Sequence, residues 1–113
     1  MIGCSVAIER ALDTRKTGGI FTTRGEIDNV QINRSPTSYL ANPPAELSQY
    51  DTDTNKEAFS FLFKNNEKAF GSFSWFGLHP TSVNFTNRLV SSDNRGYAAL
   101  KLERDLGPDF IAG

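Results

Sequence analysis

Phe59-Ser60-Phe61-Leu62-Phe63, then Lys64-Asn65-Asn66-Glu67-Lys68, then Ala69-Phe70-Gly71-Ser72-Phe73-Ser74-Trp75-Phe76-Gly77-Leu78, is the stretch that decides the fold. Aromatic side chains recur at every second position, which is the period of an extended strand. Phe and Trp also favour a pleated, half-buried surface. The polar segment between the arms has the Asn content of a turn. The stretch therefore predicts an antiparallel hairpin, with one strand over Phe59–Phe63, a turn over 64–68, and a second strand from Ala69 to about Leu78. If the extended conformation reaches His79, then Phe73, Trp75, Gly77 and His79 share one face. The strand would deliver a histidine at its end, with Gly77 leaving open space beside the imidazole.

Upstream, Met1 to Lys16 reads as a helix. Ile2, Val6, Ala7, Ala11 and Leu12 recur near helical spacing, and Thr17-Gly18-Gly19 ends it. Ile20 to Ile32 reads as strand, interrupted near Gly25 and at Asp28-Asn29. Asn33 to Asn55 reads as one long irregular stretch carrying Pro36, Pro43 and Pro44, and long ordered loops are usually functional. Downstream, Thr81 to Ser92 is again irregular. Ser92 or Asp93 then caps a helix that runs to about Leu106 and stops at Gly107-Pro108. Asp109 to Gly113 reads as the first residues of a buried strand, cut short. The class is α/β: a mixed sheet flanked by helices, with an N-terminal helix, a central Phe-rich hairpin and a C-terminal helix. Nothing marks an internal boundary, so residues 1–113 read as one continuous piece.

Composition narrows the function. The formal net charge is -1, which argues against a nucleic-acid binder, since those carry a basic excess. No apolar run is long enough to cross a membrane. Met1 to Arg10 includes Glu9 and lacks the basic-then-apolar form of a signal peptide, so the protein is expected either not to be secreted or to begin further upstream. Cys4 is the single cysteine, which rules out an internal disulfide and a cysteine-built zinc site and leaves a small buried hydrophobe as the plain reading. Nine Phe residues, crowded into few segments, are expected to form core or interface.

Several residues are candidates for chemistry. His79 is the single histidine. Alone it cannot make a zinc site, which takes three or four ligands, and composition by itself favours a structural role. A Ser-His-Asp arrangement with Ser82 or Ser92 and Asp93 is conceivable. Arg34, between a strand and the long loop, suits a carboxylate, a phosphate or a developing oxyanion. Its plainer reading is an arginine that braces the loop through backbone carbonyls. Ser92-Asp93-Asn94-Arg95-Gly96-Tyr97 reads as a helix start whose donors either face an anion or simply cap the helix. Asn84-Phe85-Thr86 and Asn33-Arg34-Ser35 match glycosylation acceptors, the second weakened by Pro36. Asp51 and Asp53 suggest calcium, but the run lacks the glycine and glutamate of an EF-hand, so a solvated loop is the better reading.

Four blocks in order carry a resemblance. They are Val30-Gln31-Ile32-Asn33-Arg34-Ser35-Pro36; Ser38-Tyr39-Leu40 with Asn42-Pro43; Trp75-Phe76-Gly77-Leu78-His79-Pro80-Thr81-Ser82; and Ser92-Asp93-Asn94-Arg95-Gly96-Tyr97-Ala98. Each block alone is weak. Together, at these separations, they resemble the neutral (non-lysosomal, zinc-dependent) ceramidase family over nearly the whole chain, as an internal fragment of its N-terminal catalytic domain. The resemblance implies a hydrolase that cleaves the amide of ceramide to sphingosine and a fatty acid. It also implies one zinc ion held by two histidines, a glutamate and a tyrosine. His79 falls on the second of those histidines, and Arg34 on an arginine of the active-site pocket.

The same resemblance puts the nucleophilic serine in a G-D-V-S-P-N-like segment beyond the strand that Phe110-Ile111-Ala112-Gly113 resembles. The other zinc histidine belongs upstream of Met1, and the glutamate and tyrosine far downstream. The fragment alone is thus expected to be inactive. Pro80 and Ser92 are small departures at positions that vary in the family, and Ala99 stands where a serine is common. Ceramide as lipid substrate, membrane-surface association and a secretory, cell-surface or extracellular location are further implications. The alternatives are a non-catalytic interaction domain or pseudoenzyme, and a related zinc amidase with another substrate.

Overall fold

The computed structural model describes residues 2–66 and 68–113. The hairpin is present. Strand β2 spans Glu57–Asn65 and β3 spans Lys68–Phe76, antiparallel, with Phe59 opposite Trp75 and Phe61 opposite Phe73. Asn66 takes a left-handed φ of 55° at the turn, a conformation asparagine tolerates better than most residues. A bulge between Phe63 and Lys64 shifts the register of the last rungs. Strand β1, Gly19–Glu26, pairs antiparallel with β2 and runs through Gly25 without interruption. The expected break at Asp28-Asn29 is real: Asn29 has φ 61°, and Lys56 pairs with Asp28 at 2.7 Å across the turn.

Period two sorts the hairpin into two unlike faces. Phe59, Phe61, Phe63, Phe73 and Trp75 fall on one face, with edge-on ring contacts at 5.0 Å for Phe59–Phe61 and 5.3 Å for Phe61–Trp75. The other face carries Ser60, Ser72 and Ser74, and the Ser60 and Ser74 hydroxyls lie 2.9 Å apart. Trp75 and Phe73 remain about half exposed, at 46% and 47%.

Helix α1, Ile2–Asp13, ends before Lys16 because two side chains compete for its last carbonyls. The Thr14 hydroxyl donates to the Arg10 carbonyl at 2.7 Å, and the Arg15 guanidinium donates to the Leu12 carbonyl at 2.8 Å. The expected long loop between Asn33 and Asn55 contains two short helices, α2 (Pro36–Leu40) and α3 (Pro44–Leu47). Each has proline in its first turn, where a missing N–H costs nothing. Short helices of this kind leave no periodic pattern in the sequence.

Helix α4 spans Asp93–Leu106 and stops at Gly107, whose φ of 103° is reserved for glycine. It leads to β4, Ile111–Ala112, which pairs parallel with β3 and makes the sheet mixed, in the order β1-β2-β3-β4. Glu103 accepts the Ala112 N–H at 3.0 Å, and Asp109 meets Lys68 at 2.8 Å, so β4 is tied to α4 and to the start of β3. Phe110, only 4% exposed, is the buried hydrophobic residue among those described.

The strand expected to reach His79 stops short of it. β3 ends at Phe76, and the Leu78 N–H donates back to the Phe76 carbonyl at 2.8 Å. That three-residue turn, centred on Gly77, breaks the alternation before it reaches His79. A side chain at Gly77 would come first against Asn55, at 3.4 Å from its carbonyl oxygen, rather than opening space beside the imidazole.

Candidate functional site

At the end of the sheet where β3 finishes, three connecting segments and Asn94 of α4 line a cleft of about 630 Å³. Arg34 comes from the segment after β1, His79 from the segment after β3, and Asp53 from the segment before β2. The two site residues singled out in the sequence are therefore brought to one place, 45 positions apart in the chain (79 − 34).

The Arg34 wall is built by its neighbours. Beyond the Asp28-Asn29 turn, the Gln31 carboxamide donates to the Asn55 carbonyl. The Asn55 side-chain oxygen in turn accepts the Glu57 N–H at 3.0 Å, which ties the wall to the first residue of β2. Asn33 Oδ1 accepts the Ser35 N–H at 2.8 Å, and the Ser35 carbonyl receives the Tyr39 N–H at the start of α2. Gln31 and Asn33 thus do the bracing that the plain reading assigned to Arg34. Among the described residues Arg34 itself is exposed and has no hydrogen bond or ion pair.

The His79 wall is held by the first turn of α4. The Arg95 guanidinium donates to the Phe76 carbonyl at 2.6 Å and to the Leu78 carbonyl at 2.7 Å and 3.1 Å. Asp93 accepts the Ser82 N–H at 3.1 Å and the Val83 N–H at 2.8 Å. Asn94 donates to the Ser82 hydroxyl at 3.1 Å, and its own carboxamide oxygen is buried without a partner. Asp93 has φ 54°, with its N–H donating to Ser91 Oγ at 3.0 Å. The amide of Val83 foremost, then those of Asn94 and Ser82, hold the Asp93 carboxyl below its ordinary pKa, against a smaller opposing effect of desolvation.

This arrangement settles two earlier alternatives. At the α4 start the Asn94 N–H is turned to Asp93 of the same chain rather than outward to an anion, and Ser92 makes no side-chain capping bond. The triad is not assembled either, because Asp93 spends both carboxylate oxygens on backbone N–H groups and His79 has no hydrogen bond among the described residues. Gly96 belongs to the same construction: a Cβ there would stand 1.7 Å from Ser92 Oγ.

Cys4 lies exposed on α1, not buried as expected, and away from the cleft. Among the described residues no cluster of three or more His, Cys, Asp or Glu side chains could hold a metal, so neither the acidic run nor His79 forms a complete site within this chain. Asn84 is exposed, and its Oδ1 accepts both the N–H and the hydroxyl of Thr86, at 2.9 Å and 3.0 Å. Sequence reading missed Gln31 and Arg95 as builders of the cleft. Their partners lie 24 and 17 to 19 positions away, and no periodicity encodes such a contact.

Known proteins resemble this chain in fold and sequence. Residues 1–112 match the family profile described as "Neutral/alkaline non-lysosomal ceramidase, N-terminal". Neutral ceramidase of Drosophila pseudoobscura pseudoobscura is 47% identical over 112 residues, covering 98% of this chain and 16% of the relative. Neutral ceramidase 2 of Arabidopsis thaliana is 40% identical over 102 residues, covering 89% of this chain and 14% of the relative. The crystal structure of neutral ceramidase from Pseudomonas aeruginosa superposes with a TM-score of 0.85 at 34% identity, covering 96% of this chain and 17% of that one. A ceramidase complexed with C2 gives a TM-score of 0.81 at 34% identity, over 93% of this chain and 16% of that one. The chain thus spans between 14% and 17% of the length of these relatives. With sequence profile, relatives and fold in agreement, the chain belongs to the neutral/alkaline non-lysosomal ceramidase family and corresponds to part of its N-terminal region.

Proposed function

We propose that the protein containing this chain hydrolyses the amide bond of ceramide, releasing sphingosine and a fatty acid, and that this chain forms two corners of its active site. The observation that carries the reading is the convergence of Arg34 and His79 on one cleft, in a chain of the ceramidase family. His79 is assigned as a zinc ligand. A neutral imidazole suits zinc, and an exposed side chain on a cleft wall is accessible to a metal shared with other parts of a longer protein. The donor set here fits one corner of such a site, so the remaining ligands are assigned to chain outside these residues. When bound, zinc polarises a carbonyl oxygen and lowers the pKa of a coordinated hydroxyl.

The chain's own residues do the positioning. Arg34, free of internal hydrogen bonds among the described residues, presents its guanidinium to negative charge that develops on the scissile carbonyl oxygen or on a substrate hydroxyl. β4 runs parallel to β3, toward the end of the sheet where His79 stands. Chain continuing in that direction would approach the cleft, which is where the family resemblance expects the nucleophilic serine. With one imidazole and no assembled triad, the 113-residue polypeptide is assigned no turnover of its own.

The test is direct. The full-length protein is incubated with an N-acylsphingosine and with a simple N-acyl amide of the same chain length, with and without a zinc chelator. Release of sphingosine that the chelator abolishes is the expected result. Chelator-resistant release removes the zinc assignment, and hydrolysis of the simple amide alone removes ceramide as substrate.

A further inference from the structure

The segment Gly77–Val83, which follows β3, carries His79 but is neither strand nor helix, so its own backbone pairing does not fix it. What fixes it is the first turn of α4, and the contacts fall on both sides of the histidine. Arg95 takes the carbonyls of Phe76 and Leu78, before it. Asp93 takes the N–H groups of Ser82 and Val83, after it, and Asn94 takes the Ser82 hydroxyl. Donor and acceptor functions are matched: the cation meets carbonyls and the anion meets amides, so the Arg95 and Asp93 contacts are charge-assisted.

We propose that Asp93, Asn94 and Arg95 are positioning residues for His79, forming a clamp that holds the backbone on either side of it in one ligand-ready conformation. The proposal rests on the reading of His79 as a zinc ligand. The physical reason is entropy. A ligand on an irregular segment loses freedom when it binds metal, and a segment already held at both ends has less to lose. Groups that orient a metal ligand characteristically change metal affinity by about 10- to 100-fold when removed. Arginine suits the first contact because its planar fork reaches two carbonyls at once, which a lysine ammonium does poorly. Asp93 suits the second because it offers an oxygen to each of two successive amides.

The experiment uses the full-length protein and zinc itself, with affinity read by competition against a chromophoric chelator and kinetics on an N-acylsphingosine. Asp93→Ala and Arg95→Ala are each expected to weaken zinc binding by about 10- to 100-fold. The loss should appear in kcat, with KM within about twofold of the parent, because neither Asp93 nor Arg95 lines the cleft. Arg95→Lys should fall between parent and Arg95→Ala. Lys101→Ala, which breaks only the exposed pair with Asp105, should leave both readouts unchanged. If the alanine variants do not fold, Arg95→Lys and Ser82→Ala decide, each with a smaller weakening in the same direction.

Parental zinc affinity in the folded variants, with only thermal stability lowered, would overturn the clamp. His79→Ala separates the two levels. If it loses zinc while the clamp variants keep it, the clamp alone fails. If it keeps zinc at parental affinity, the ligand reading fails and the clamp falls with it.

Discussion

Arg34 and Arg95 use one functional group for opposite ends. Arg95 is satisfied within the chain, donating to two carbonyls beside His79. Arg34 has no such bonds among the described residues and lines the same cleft from the facing wall. The two residues therefore separate in a mutational test. Arg34→Ala in the full-length protein is expected to lower kcat on ceramide by about 100- to 1,000-fold, the usual cost of removing a charge-stabilising donor. Its thermal midpoint should match the parent, since no internal hydrogen bond is lost. A lowered midpoint with unchanged kcat would make Arg34 a structural residue. Both arginines stand in motif blocks, yet their division of labour was not legible in the sequence. Spacing placed Arg34 at a loop entrance and suggested bracing; the bracing is done by Gln31 and Asn33.

At the scale of elements, legibility followed period and locality. The hairpin was readable because alternating Phe and Ser over two arms allows one register with the aromatic residues on one face. Helix α4 was readable because Gly107-Pro108 ends it unambiguously. α2 and α3 were not, since helices of 5 and 4 residues are shorter than the window in which helical periodicity shows. His79 was expected on a strand, but the turn at Gly77 intervenes and α4 supplies the support instead. Tertiary contacts decided the matter, and one sequence carries little information about those.

The attachment of β4 gives a pH prediction at this scale. Lys68 holds the Asp109 carboxyl below its ordinary pKa of 3.8, through a hydrogen bond and then through its charge. A lowered folded-state pKa means that the pair's contribution to stability is present above the unfolded value and lost as pH falls through the folded one. Both groups are exposed, so the effect is small. In the full-length protein, the unfolding midpoints of the parent and of Lys68→Ala should differ near about pH 7 and converge as pH falls below the ordinary Asp109 value of 3.8 and through its lowered folded-state pKa. A difference that stays constant across that range would show that the pair acts through packing rather than charge.

For the molecule as a whole, the described residues leave much apolar surface uncovered. Phe85 is 96% exposed, and the rings of β2 and β3 are only partly covered. Among the described residues the outer edge of β1 is also unpaired, and exposed aromatic surface together with an open strand edge favours association. The 113-residue chain, produced alone, is expected to aggregate or to melt without cooperativity; a monodisperse, cooperatively melting monomer would contradict this. The relatives offer a physical reason, since this chain spans about one sixth of their length, and surface open here is available to be covered by other chain in a longer protein.

The central claim is that His79 is one corner of a zinc amidase site. It is tested most directly by measuring bound zinc and sphingosine release together, in the full-length protein and its His79→Ala variant. The account predicts that the variant loses both, while its unfolding transition stays close to the parent's. A variant that keeps its zinc and still cleaves ceramide at the parental rate would contradict it.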